Sequence, residues 1–148
     1  MPTRILLADD SQALLAVVRA HLEQDGFEVV GTASDGREAL DLAMSLNPEV
    51  VVLDHAMPRM SGLEAARAIH SARPGVRLIF LTEHGAEHLI IAAFRAGTRG
   101  FVAKRDAADL SRAILEVSRG GVFLSPGACG AVMQPYLDAD SDSIPLIV

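Results

Sequence analysis

The sequence predicts a doubly wound α/β domain on a parallel five-stranded sheet. Short apolar runs recur at residues 5–8, 28–33, 50–53, 76–81 and 100–103. Several are apolar throughout, as strands buried on both faces require. The segments between them have helical spacing, and most close on Gly, Pro or Asn, which gives five strand–helix repeats.

The elements follow in order. Residues 5–8 run into Asp9. Ser11 or Asp10 caps a first helix that carries Leu14, Val18 and Leu22 at i, i+4 and i+8, and Gly26 ends it. After the second strand, a second helix closes at Asn47-Pro48. The third strand runs into Asp54, and its helix closes at Pro74-Gly75. The fourth strand leads to Thr82, and Gly97 follows the fourth helix. The fifth strand ends in Lys104. The fifth helix has Leu110, Ala113, Ile114 and Val117 at i, i+3, i+4 and i+7, and Gly120-Gly121 follows it. One domain is thus expected over residues 1–121, and residues 122–148 are expected as a C-terminal extension or linker. There, Ser125-Pro126 can start a short helix with Pro at its first position, against which Gly127 and Gly130 count. Asp138-Ala139-Asp140-Ser141-Asp142-Ser143 reads as a solvated linker before the apolar end, Ile144 to Val148.

Composition narrows the function classes. A length of 148 residues suits one compact domain with a short appendage. The net charge of -6, without a basic stripe, argues against direct nucleic-acid binding. The single cysteine, Cys129, excludes an internal disulfide and fits a reducing cytosol. No run is long enough for a signal peptide or a membrane span, so a cytoplasmic chain with no membrane contact is expected.

In open α/β sheets ligands bind beyond the carboxyl ends of the strands. The expected ends there are Asp9-Asp10, Asp54, Thr82 and Lys104. Each alone has an ordinary explanation: a helix cap, a turn residue, a β-branched strand residue, a solvated charge. Their joint occurrence at consecutive strand ends is what points to a site. Carboxylates brought together repel and raise one another's pKa. A hard divalent ion such as Mg²⁺ relieves this and commonly bridges carboxylates to phosphate oxygens. Asp54 is then a candidate carboxylate nucleophile toward a phosphoryl group, with Lys104 neutralising charge.

The segment from Asp54 to Gly62, Asp-His-Ala-Met-Pro-Arg-Met-Ser-Gly, resembles the phosphoacceptor loop of bacterial two-component response-regulator receiver domains. Asp9-Asp10 resembles that family's acidic metal pair. Leu81-Thr82 resembles its switch hydroxyl, and Phe101 with Lys104 its switch aromatic and lysine. The match spans residues 3 to about 121, and residues 120–126 further resemble receivers joined to LuxR-type helix-turn-helix output domains. The resemblance implies a flavodoxin-like sheet of order 2-1-3-4-5 with helices on both faces. It also implies phosphorylation of Asp54 by a sensor histidine kinase. Mg²⁺ would be held by Asp9, Asp10, Asp54 and the backbone carbonyl of Ala56. Thr82 and Phe101 would act as switch residues, and the face formed by the fourth helix, fifth strand and fifth helix would change on phosphorylation and allow a homodimer. The module would catalyse only its own phosphorylation and dephosphorylation and would control a transcriptional output domain absent from this chain. The alternative is a stand-alone receiver acting by protein–protein contact or phosphorelay.

Some residues depart from that pattern or lie outside it. Glu83, long and acidic, stands where the family has a small residue, and is expected to slow phosphorylation or to restrict donors. A haloacid-dehalogenase-like phosphatase would need a second Asp at position 56, which is Ala. His84 and His88 have metal-ligand spacing but no third ligand. Cys129 is expected in a loop, and Arg95 and Arg99 as surface charges.

Overall fold

The computed structural model describes residues 1–83 and 87–137. β1 (Arg4–Ala8) leads into α1 (Gln12–Gln24), β2 (Glu28–Ala33) into α2 (Gly36–Leu46), and β3 (Val50–Asp54) into α3 (Gly62–Ala72). β4 (Arg77–Thr82), α4 (Glu87–Arg95) and β5 (Gly100–Ala103) follow, then a 3₁₀ turn (Lys104–Asp109), α5 (Leu110–Ser118), β6 (Phe123–Leu124) and α6 (Pro126–Leu137). The sheet is parallel, with order β2-β1-β3-β4-β5-β6.

The strands alternate between two cores. Leu6, Val51, Leu53, Leu78, Phe80 and Phe101 face α2, α3, α4 and α6 through Ala39, Ala43, Ala65, Ala66, Ile69, Ile90, Ala93 and Ala128. Ile5, Leu7, Val50, Val52, Ile79, Leu81 and Val102 face α1 and α5 through Leu15, Val18, Leu22, Leu110, Ala113, Ile114 and Val117. Small alanines on the first set of helices let them lie close to the sheet. Burial on both faces explains why β1, β3 and β4 read as unbroken apolar runs.

The helix starts are set by side-chain caps. Of the two expected caps for α1, Ser11 serves: its Oγ accepts from Leu14 N at 3.2 Å. Asp35 caps α2 through Glu38 N at 2.8 Å. Ser61 and Glu64 form a capping box on α3. Asn47, the C-cap of α2, takes φ 48°, a left-handed conformation that Asn tolerates.

The structure corrects three expectations. The sheet has six strands instead of five, because Phe123–Leu124 pairs with the outer edge of β5; a two-residue strand leaves no periodic signal. Lys104 does not belong to β5 but opens the 3₁₀ turn, whereas Thr82 is the last residue of β4, as expected. Ser125-Pro126 starts a helix of twelve residues, and Cys129 lies on it, exposed, instead of in a loop. The linker and apolar end expected at 138–148 lie outside the described residues, as does His84. No described helix is long and apolar enough to cross a membrane.

Candidate phosphoacceptor site

Strand register assembles the site. Ala8 pairs with Leu53, Asp54 with Leu81 and Thr82 with Ala103, so the residues at or just beyond these strand ends share one edge of the sheet. α3 begins directly against that edge. A Cβ on Gly62 would collide with the Asp54 carbonyl oxygen, so only glycine allows this approach.

Asp9 and Asp54 are 1% and 2% exposed, and Asp10 is exposed. Oxygens from these three carboxylates lie within 4.8 Å of one another. Asp9 Oδ1 accepts from Ser11 N at 2.8 Å, which aims Oδ2 inward. That Oδ2 is buried, and although Lys104 Nζ lies 3.1 Å away, the ammonium is not directed to donate to it. Lys104 Nζ is also 3.3 Å from Asp54 Oδ2 and bonds Glu83 Oε1 at 2.9 Å. Asp54 Oδ1 accepts only a long bond from Ala56 N, 3.5 Å, with His55 Nδ1 also at 3.5 Å.

The electrostatics follow from this crowding. Burial, then the charge of Asp9, pushes the Asp54 carboxyl above its ordinary pKa, and Lys104 and the Ala56 amide only partly oppose this. Burial disfavours the Lys104 ammonium, but Glu83, Asp54 and Asp9 outweigh it and hold its pKa above the ordinary value. The hydrogen bond from Lys104, and then its charge, lower the pKa of Glu83. One ammonium thus serves three carboxylates while a fourth, Asp10, stands beside them. An under-neutralised cluster of oxygens with a buried, poorly satisfied carboxylate atom suits a hard divalent cation.

The expected site residues therefore converge: Asp9, Asp10, Asp54 and Lys104 directly, with Thr82 buried next to them. Thr82, Glu83, Ala103, Lys104 and Arg105 line a cavity of about 390 Å³ whose far wall is Gly127 and Ala131 of α6. Phe101 is 1% exposed and already inward. His88 is exposed and joins no cluster of metal-binding groups among the described residues. Arg99 is held locally, donating to Phe94 O at 2.8 Å and stacking over that ring at 4.2 Å.

Two features escaped the sequence. Glu83 stands out in the sequence only as a long acidic residue near the donor path, and its bond to Lys104 depends on the pairing of β4 with β5. Asp35 is 4% exposed and, besides capping α2, faces Arg59 Nη1 at 3.2 Å. Arg59 has φ 68° within the loop after Asp54, so this pair braces a strained turn.

Residues 5–115 match the family model described as response regulator receiver domain. The chain is 31% identical over 144 residues to the transcriptional regulatory protein LiaR of Bacillus subtilis, covering 96% of this chain and 68% of that protein. It is 32% identical over 104 residues to the chemotaxis protein CheY of Thermotoga maritima, covering 70% of this chain and 87% of that protein. It superposes on a LuxR-family two-component response regulator from Aurantimonas sp. SI85-9A1 with a TM-score of 0.85 and 31% identity, covering 93% of this chain and all of that one. The matched sequence, the parallel sheet and the acidic strand-end site agree, and the chain belongs to the response regulator receiver domain family.

Proposed function

We propose that Asp54 accepts a phosphoryl group from a sensor histidine kinase. The observation that carries this is Lys104 Nζ held 3.1 Å from Asp9 and 3.3 Å from Asp54 beside a buried carboxylate cluster. In the transfer an Asp54 carboxylate oxygen attacks phosphorus, an O–P bond forms, and the bond to the donor breaks, the leaving group keeping the electron pair. Lys104 offers a positive charge to the equatorial oxygens, and the Thr82 hydroxyl a hydrogen bond. Asp9, Asp10 and Asp54, with the backbone carbonyl of Ala56, are the residues to hold Mg²⁺, which when bound supplies further neutralisation of the phosphoryl oxygens.

In this proposal the chain is a cytoplasmic signalling module that catalyses only its own phosphorylation and dephosphorylation. It spans 68% of LiaR, and this relation to a transcriptional regulator supports a helix-turn-helix output domain as the natural recipient of the signal. Self-association through α4, β5 and α5 would have to use the helices, because β6 pairs with the outer edge of β5.

With Mg²⁺ and acetyl phosphate, the protein should gain one base-labile acyl phosphate, read by phosphate-affinity electrophoresis. Asp54→Asn should abolish it, and undiminished labelling of that variant would sink the assignment.

A further inference from the structure

Both sides of Lys104 in the chain are fastened to the start of α6. Ser125 N donates to Phe101 O at 2.9 Å, and Ala103 N donates to Ser125 Oγ at 2.9 Å. Beyond Lys104, Asp106 Oδ2 accepts from Gly127 N at 2.8 Å. Ser125 is fully buried. Gly127 is seated so closely that a Cβ there would lie 2.8 Å from Ala103 Cβ and Asp106 Oδ2, and 2.9 Å from Arg105 Nε.

Among the described side chains of α6, Ala128 is buried and Val132 packs partly on the core, while Met133 and Cys129 are exposed. Between α6 and the phosphoacceptor edge lies the cavity shared by Thr82, Glu83, Lys104, Arg105, Gly127 and Ala131. Phe101 is buried in the same core cluster as Ala128.

We infer that α6 is the element that moves: when Lys104 and Thr82 shift toward a phosphoryl group on Asp54, the anchor at Ser125 and Gly127 loosens, and α6 is released from β5 and α4. This rests on Asp54 being the phosphoacceptor. Phosphoryl oxygens would draw Lys104 from its three carboxylate partners, and Lys104 is bonded in the chain to Ala103 and stands two residues before Asp106. Thr82 moving the same way enlarges the cavity that Gly127 and Ala131 of α6 also line, leaving the helix less closely packed on that side. Release would uncover the sides of α4 and β5 that α6 covers.

The test uses the full chain with beryllofluoride and Mg²⁺, with site occupancy read from the ¹⁹F signal of bound fluoride. Amide exchange over residues 123–132 should quicken about fivefold, the low end of ordinary coupling between two sites, and a nitroxide on Cys129 should gain mobility. Gly127→Ala should show that fast exchange without the mimic and, because coupling is reciprocal, should bind beryllofluoride more tightly by the same factor. Bound fluoride with unchanged exchange and unchanged nitroxide spectrum would overturn the inference, as would fast exchange in Gly127→Ala at unaltered affinity. No bound fluoride signal at all would remove the phosphoacceptor assignment, and this inference with it.

Discussion

The central strands and the C-terminal flank are built on different principles. β1, β3 and β4 are buried on both faces, and their side chains fill two cores at once. β6 has two residues, and among the described side chains of α6 Ala128 and part of Val132 join the core. The centre is held by apolar area, the flank by a few directed hydrogen bonds at Ser125 and Gly127. The groups proposed for phosphoryl transfer sit where the two meet: Asp9 and Asp54 on the side of the central strands, Lys104 on the side tied to α6. In the inference drawn above, the α6 side is the one that responds, and lower local stability there is what permits its motion.

The contrast can be broken most directly by stability. Leu53→Ala, at a site with no exposure, should cost about 2–5 kcal/mol. Ending the chain after Gly121 should cost less, about 2 kcal/mol, since few apolar side chains leave the core. Denaturant unfolding that ranks the truncation as the more damaging change would show the flank to be part of the core.

Metal binding tests the side of the central strands. Mg²⁺ at a hundredfold excess over its Kd should add about 2.7 kcal/mol of stability. Asp10→Ala should lose most of that gain, and an unaltered Mg²⁺-dependent melting shift would contradict the assigned ligand set.

pH sharpens the electrostatic half of the comparison. Asp54 has a raised pKa in the folded state because of burial and then Asp9. Its neutral form therefore favours folding below the ordinary carboxylate pKa, and that contribution is lost as pH rises through the raised folded value. Without Mg²⁺, Asp54→Asn should melt above the parent at neutral pH. The difference should close as pH falls below the ordinary carboxylate value of about 3.9. Equal melting at neutral pH would mean that Lys104 already neutralises the cluster. Lys104, raised in its turn, contributes stability that persists through neutral pH and disappears only above the ordinary lysine range.

The smallest effect concerns the side tied to α6. Glu83 is more than half exposed, so its pair with Lys104 is worth about 0–1 kcal/mol. Glu83→Gln should leave melting nearly unmoved. Freeing Lys104 from a competing acceptor, and removing a negative charge near an incoming dianion, should speed acetyl phosphate labelling about two- to fivefold. Slower labelling would instead make Glu83 a residue that positions the lysine for transfer.

Most of the body could be read from the chain because each of its signals is local. Unbroken apolar runs such as Val50-Val51-Val52-Leu53 declare a doubly buried strand, and Ser11 or Asp10 ahead of an apolar period declares a helix start from a few neighbouring residues. Asp9, Asp10, Asp54, Thr82 and Lys104 could be gathered because parallel strands bring their carboxyl ends to one edge whatever the loops do. What the chain alone could not determine depends on partners distant in sequence. β6 exists because the outer edge of β5 is available to two residues with no pattern of their own. α6 stays seated although Gly127 and Gly130 count against a helix, because Asp106 and Ser125 hold its first turn. The turn at Arg59 is braced by Asp35 from another loop, and Lys104 meets Glu83 only once β4 and β5 are paired. Local backbone preference and burial pattern are written along the sequence, whereas which charge neutralises which, and what covers an open strand edge, are decided only when segments far apart in the chain are brought into contact.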